Sequence, residues 1–238
     1  QESKILVILE KHYDALSSSD GRIGRIKGIE YVIPIDSNAK PVKHSPSRTT
    51  LEKMNLIEAE VDKLLEKDAI EPSDSSYASR IVAVTKKDGS IRICIDYRQV
   101  NLSIRSDAYP NPDATMCIRA LSDAIYFSQL DLNSAYHQVP LAKESRPYTA
   151  FVTPKGRHFE FKTIPFGLKI SGSGFMRALD LIMADLKYTD FVSFIDDLIV
   201  FGRNFNEHTE RLDRILSRLC NNNLTIKLSK CAFATQSI

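Results

Sequence analysis

Phe191-Val-Ser-Phe-Ile-Asp-Asp-Leu-Ile-Val-Phe201 is an apolar stretch interrupted by two adjacent carboxylates, Asp196 and Asp197. The apolar flanks read as two strands joined by a tight turn. Like charges side by side repel, and partial burial raises the cost of ionising both. A divalent cation removes both penalties. Hard cations such as magnesium take oxygen ligands, often one or two carboxylates plus substrate phosphates. Two acids are also ordinary at an exposed turn, where Asp is common. The stretch alone leaves both readings open.

A second stretch, Ser128-Gln-Leu-Asp-Leu-Asn-Ser-Ala-Tyr136, ends an apolar strand at Asp131, just before an expected helix start. Taken singly, Asp131 is equally a helix-initiating acid favoured by the N-terminal dipole. Taken with the pair 65 residues later, it offers a third carboxylate at a neighbouring strand end. Three such carboxylates would hold two metals about 4 Å apart, suited to in-line phosphoryl displacement.

Outward from these stretches, periodicity predicts helices over 3–16, 51–67, 175–186 and 207–219, with a short helix from 134. Strands are expected at 30–35, 78–85, 91–95, 125–132 and 225–228. The order suits an α+β domain, an antiparallel sheet with helices on one face. From 80 to 105 there are six basic residues against two acids, read either as a solvated hairpin or as a phosphate-binding edge.

The chain has 238 residues, 43% hydrophobic and 26% charged, which excludes wholesale disorder and allows a sizeable core. A net charge of +2 neither demands nor excludes a polyanionic partner. Cys94, Cys117, Cys220 and Cys231 form no C-x-x-C pair, so neither a disulfide framework nor a zinc site is expected, and a reducing compartment fits. No apolar run approaches the ~18 residues of a membrane span, so no membrane partner is expected. The chain opens on Gln1 without a signal peptide and is read as a piece of something longer.

An ordered set of phrases runs along the chain, beginning with Pro41-Val-Lys43, Leu64-Leu-Glu-Lys-Asp-Ala-Ile-Glu-Pro-Ser73 and Lys86-Lys-Asp-Gly-Ser-Ile-Arg-Ile-Cys-Ile-Asp-Tyr-Arg98. Leu130-Asp-Leu-Asn-Ser-Ala-Tyr-His-Gln138, Thr149-Ala-Phe151, Ile164-Pro-Phe-Gly-Leu168 and Phe194-Ile-Asp-Asp197 follow, then Glu207-His208 and Lys230-Cys-Ala-Phe233. The set resembles the reverse transcriptase of Ty3/Gypsy-type (metavirus) long-terminal-repeat retrotransposons.

The resemblance implies a right-hand polymerase fold, with fingers at 1–105 and 139–170 and palm at 106–138 and 171–238. Thumb, connection and RNase H are expected to lie outside this chain. It implies an RNA-directed DNA polymerase that adds deoxynucleotides to a primer 3′-hydroxyl with two Mg2+, or Mn2+ in their place. Asp131, Asp196 and Asp197 match the catalytic, metal-binding carboxylates, and the Leu132 carbonyl completes one metal site. Lys86 (or Lys87) and Arg92 match fingers residues on the dNTP triphosphate. The amides of Ser134 and Ala135 are expected to face phosphate oxygens at a helix start. Tyr136 matches the residue under the incoming sugar, Phe166 one beside the nucleotide pocket, and Lys230 a palm lysine near the site. His208 and Cys231 are read as structural. Implied partners are an RNA or DNA template with primer, dNTPs, and the remaining polyprotein with its thumb and RNase H. The implied location is the cytoplasmic retroelement particle, with the nucleus as alternative.

The sequence departs from the family at Ala135 (usually Gly), Phe194 (usually Tyr), Tyr148 (usually Lys) and Lys169-Ile-Ser-Gly-Ser-Gly174 with Met176. The added glycines are expected to weaken a helix start. These departures keep a second reading open, a decayed or repurposed retroelement fragment that binds nucleic acid or protein without polymerising. A third, another palm-type metal enzyme such as a nucleotidyl cyclase, is opposed by Pro165-Phe-Gly167 and Lys230-Cys231.

Overall fold

The computed structural model describes residues 1–17, 23–85, 91–110, 113–194 and 197–237. Lys86 and Asp196 lie outside these residues. Among the described residues the helices are α1 (Glu2–Lys11), α2 (Leu51–Glu66), α3 (Arg98–Ser103), α4 (Ala114–Leu121), α5 (Ser171–Met183) and α6 (Phe205–Asn221). The strands are β1 (Leu16–Ser17), β2 (Ile70–Pro72), β3 (Ser79–Thr85), β4 (Ile91–Ile95), β5 (Tyr126–Asp131) and β6 (Phe151–Val152). They continue with β7 (His158–Phe161), β8 (Phe191–Phe194), β9 (Asp197–Gly202), β10 (Ile226–Lys227) and β11 (Ala232–Thr235).

Two compact units divide the chain. Residues 1–28, 109–138 and 175–238 form the first, and 29–108 with 139–174 the second. Residues 1–28 group with the first unit. The reason lies in what α1 covers. Ile5, Ile8 and Leu9 are buried, and the helix is tied to α6 by Lys11 Nζ and His12 Nε2, 2.8 and 2.9 Å from Asp213 Oδ1. Downstream, β1 pairs in parallel with β10.

The first unit is built on an antiparallel sheet of order β11-β5-β9-β8. β5 and β9 pair without a bulge from Tyr126↔Gly202 to Asp131↔Asp197. Directly opposed residues share a face. Tyr126, Ser128, Leu130, Leu198 and Val200 therefore face one way; Phe127, Gln129, Asp131, Asp197, Ile199 and Phe201 face the other. α6 packs on the first face and buries Leu212, Ile215, Leu216 and Leu219. Its start is fixed by Asn204, whose side chain accepts the Glu207 N–H at 3.0 Å. On the second face, Cys117 of α4 packs with Phe127, Val192 and Phe201. That cluster sits four residues along β5 from Asp131, about 13 Å at strand rise.

The edge strand β11 has no counterpart in the expected elements. Its ladder to β5 consists of Ala232↔Gln129 and Thr235↔Phe127 with an irregularity between, and Ala234 takes a positive φ of 51°. So irregular a strand leaves no alternating pattern to read. The strand expected at 30–35 does not form; Tyr31 and Ile35 make only isolated bridges, to Leu141 and Ile104.

The second unit has a five-stranded sheet of order β2-β7-β6-β3-β4. The two expected strands pair, β3 with β4 from Ile81↔Ile95 to Thr85↔Ile91, and the turn expected between them lies outside the described residues. α2 follows its expected apolar stripe, burying Ile57 and Val61. Its buried Glu58 is satisfied by the Lys155 amide at 3.1 Å and Arg157 Nη1 at 3.2 Å. The core holds Phe151 between Phe159 and Phe161, with centroids 6.1 and 5.4 Å away. Buried Tyr97 donates its hydroxyl to the Thr149 carbonyl at 2.7 Å.

α5 begins at Ser171, four residues earlier than expected, despite Gly172 and Gly174. The Gly174 amide already donates to the Ile170 carbonyl at 2.8 Å. A Cβ there would come within 3.0 Å of Ile164 and Tyr31. Close packing compensates for the glycine's poor helix propensity.

Candidate active site

The unbroken β5–β9 register sets Asp131 directly opposite Asp197, on one face at adjoining strand ends. Opposed residues of an antiparallel pair hold their Cβ atoms about 4.5–5.5 Å apart, and like charges there repel. Lys230, in the turn after β10, meets part of that charge, its Nζ 3.2 Å from Asp131 Oδ2. Two closely held carboxylates are the hard-oxygen donor set that divalent cations take, so the residues present fit such an ion. Asp196, the third expected carboxylate, lies outside the described residues. Cys231 follows Lys230, and its thiol is pushed up to about 11, first by burial and further by Asp131 and Asp197. It is a protonated neighbour of the carboxylates.

Residues 132–138 continue from Asp131. Leu132 is buried and bridges Ile226, with the Asn133 N–H donating to the Thr225 carbonyl at 2.9 Å. Ser134 then adopts φ +52°. Such a left-handed residue costs roughly 1–2 kcal/mol when it is not glycine. The helix expected from 134 is a single 3-10 turn, Ala135–Gln138, closed by the His137 N–H on the Ser134 carbonyl at 2.8 Å. The left-handed entry and the short turn give the backbone no room to wind an α-helix. Ala135 is buried, and the Tyr136 ring meets Phe175 edge-on at 5.8 Å. Met176, one of the departures, is buried core.

The first unit thus holds Asp131, Asp197, Leu132, Ser134, Ala135, Tyr136 and Lys230. Arg92 and Phe166 belong to the second unit. Arg92 is exposed on β4 opposite Val84. Phe166 is 49% exposed on a braced loop. There Asn101 donates to the Gly167 carbonyl at 2.9 Å and accepts the Lys169 amide at 2.9 Å, and Gly167 takes φ +99°. Tyr148 packs edge-on against Tyr77 at 5.3 Å.

Two cations of the basic stretch 80–105 share one acid. Arg98 Nε and Nη2 grip Asp96 at 2.8 Å each, and Arg80 Nε reaches it at 3.2 Å. The Arg98 hydrogen bonds hold the Asp96 carboxyl well below its usual range, with Arg80 adding to the effect. These two arginines are engaged with a local acid.

His208 Nε2 lies 2.9 Å from Ser128 Oγ, which also accepts the Ala234 N–H at 3.0 Å. The ring therefore joins α6, β5 and β11, behind the strand that ends at Asp131. Burial, helped by Arg211, lowers its pKa from 6.5 to about 4. The unfolded chain binds this proton below about pH 6.5 and the folded chain only below about 4. Stability from this group is complete above the first value and falls as pH drops toward the second. The urea midpoint of the first unit is expected to fall over that interval, and His208→Gln to flatten the slope. An unchanged slope in the variant would contradict the assignment.

Gln138 ends the stretch Leu130–Gln138, and the resemblance assigns it no role. It is fully buried. A long amide beside apolar Val139, with no charge to draw notice, leaves little signal in sequence.

A family model described as reverse transcriptase (RNA-dependent DNA polymerase) matches residues 84–238. The Pol polyprotein of transposon opus from Drosophila melanogaster is 35% identical over 182 residues, covering 74% of this chain and 18% of that protein. The transposon gypsy polyprotein of the same organism is 33% identical over 205 residues, covering 84% and 20%. The chain thus spans about a fifth of these curated relatives, which are of the gypsy type the sequence resembled. The foamy viral protease-reverse transcriptase in complex with an RNA/DNA hybrid shares the fold, with a TM-score of 0.89 at 20% identity. That match covers 99% of this chain and 31% of the foamy viral one. With an antiparallel sheet that presents two facing aspartates at its strand ends, the chain belongs to the reverse transcriptase (RNA-dependent DNA polymerase) family.

Proposed function

We propose that this chain is the fingers–palm core of an RNA-directed DNA polymerase, extending a primer on an RNA or DNA template with dNTPs. The observation that carries it is the Asp131↔Asp197 pair, opposed across β5 and β9 in a chain of this family. Family membership implies dependence on a divalent metal. In the finer reading Asp131, Asp196, Asp197 and the Leu132 carbonyl hold two Mg2+, or Mn2+. Bound there, the ions would lower the pKa of the primer hydroxyl and neutralise charge developing on the transferred phosphoryl group.

The chain's own residues do the positioning. Ser134 and Ala135 offer amides to phosphate oxygens. Tyr136 sits under the sugar and crowds a 2′-hydroxyl. Arg92 grips the triphosphate in a fork, with Lys86 as a point charge. Phe166 lines the nucleotide pocket, and Lys230 stands near the leaving pyrophosphate. Template and primer are held chiefly through phosphate and sugar, so binding falls steeply with salt. The rest of the polyprotein supplies thumb and RNase H, and the site of action is the cytoplasmic particle.

Template direction separates this reading from the decayed-binder alternative. On poly(rA)/oligo(dT) the chain is expected to incorporate dTTP and refuse dGTP. Salt-sensitive binding without incorporation would overturn the polymerase reading.

A further inference from the structure

We propose that Gln138 is a positioning residue whose side-chain amide sets the turn 132–136, and through it the preference for deoxy- over ribonucleotides. The proposal rests on the polymerase reading above and names what holds that site in register.

The Gln138 side chain uses its whole hydrogen-bonding capacity. Nε2 donates to the Asn133 carbonyl at 3.0 Å and the Thr225 carbonyl at 2.9 Å. Oε1 accepts the Thr225 N–H at 2.7 Å and the Thr225 hydroxyl at 3.4 Å. Two N–H donors and two acceptor sites are all a carboxamide has. Glutamate lacks the donors and brings a charge, methionine lacks both, and asparagine falls one methylene short.

The bond to Asn133 closes the turn from inside, immediately before Ser134 with its φ of +52°. A non-glycine residue keeps such a conformation only where its surroundings over-determine it. Buried Gln138 supplies that constraint. It fixes the five residues that carry the Leu132 carbonyl, the Ser134 and Ala135 amides and the Tyr136 ring.

The N-terminal segment closes the other side. The Gly24 N–H donates to Thr225 Oγ1 at 3.1 Å, the Ile26 N–H to the Gln138 carbonyl at 2.8 Å, and Asn223 Nδ2 to the Arg25 carbonyl at 3.0 Å. A Cβ on Gly24 would lie 2.2 Å from the Asn223 carbonyl oxygen and 2.8 Å from Gln138 Oε1. Glycine is required there by close approach. Three segments distant in sequence thus meet around Gln138 behind the turn, through its backbone carbonyl and its side-chain amide.

The test uses the full chain with Gln138→Met, Gln138→Asn, Thr225→Val and Gly24→Ala. Steady-state kcat and KM are read for dTTP and UTP on poly(rA)/oligo(dT), with amide hydrogen exchange alongside. Gln138→Met is expected to raise KM for dTTP and cut the dTTP-over-UTP preference by about tenfold or more, as misplacement of a positioning group does. Amides of 132–136 lose protection while those of α6 keep theirs. Gly24→Ala, which touches no nucleotide, loses selectivity in the same direction; Thr225→Val does so more weakly. Wild-type selectivity and protection in Gln138→Met would overturn the proposal, even if its rate fell. Should Gln138→Met fail to fold, wild-type selectivity in both Thr225→Val and Gly24→Ala would overturn it. A wild-type chain that incorporates neither nucleotide fails the polymerase reading itself. Exchange at 132–136 then decides the clamp, which stands if Gln138→Met loses protection and falls if it does not.

Discussion

Asp197→Asn is expected to lower nucleotide incorporation by at least about 10³-fold, because a ligand in an electrostatic catalytic site is lost. The same substitution is expected to leave the fold as stable as before, or to stabilise it. Asp197 stands directly opposite Asp131, and opposed like charges in an antiparallel pair are unfavourable by up to about 1 kcal/mol. Asparagine keeps the shape and removes the repulsion. Without added metal the variant should therefore melt at or above the wild-type temperature. Magnesium should raise the wild-type melting temperature more than the variant's, since only an intact site binds it fully. Primer extension and thermal denaturation, each with magnesium and with chelator, read both effects. A variant that loses activity only by losing stability would show that Asp197 is a packing residue.

Phe151→Ala is expected to cost about 3–5 kcal/mol, the range for truncating a buried aromatic. Phe151 is fully buried, and its ring packs against Phe159 and Phe161 in the second unit. β6 joins β7 to β3 in the five-stranded sheet, so the cavity would open where three strands meet. The loss reads as a lower urea midpoint. The two compact units need not unfold together, so fluorescence and far-ultraviolet dichroism should be followed side by side. A shift corresponding to less than about 1 kcal/mol would mean that the neighbouring rings collapse into the space.

What the sequence disclosed follows signal strength. The β3–β4 pair and helices α2 and α6 were legible because their apolar spacing is regular. The placement of Asp131 and Asp197 at adjoining strand ends was legible because each carboxylate interrupts an apolar run. β11 was not, since two paired positions around an irregularity carry no period. The turn at Ser134 reads as a helix start in sequence because a left-handed φ at serine has no local sequence marker. Counting charges over 80–105 does not reveal which of them pair; Asp96 engages both Arg80 and Arg98. Gln138 escaped notice because its partners, Asn133 and Thr225, meet it only through the fold.

The most direct test of the central claim is primer extension on poly(rA)/oligo(dT) with magnesium and then manganese. It compares the wild-type chain with an Asp196→Asn/Asp197→Asn double variant. Extension by the wild type that the double variant lacks, at equal primer-template binding, is the predicted result. Equal extension by both chains, or none by the wild type under either metal, would contradict the assignment of these carboxylates to polymerisation.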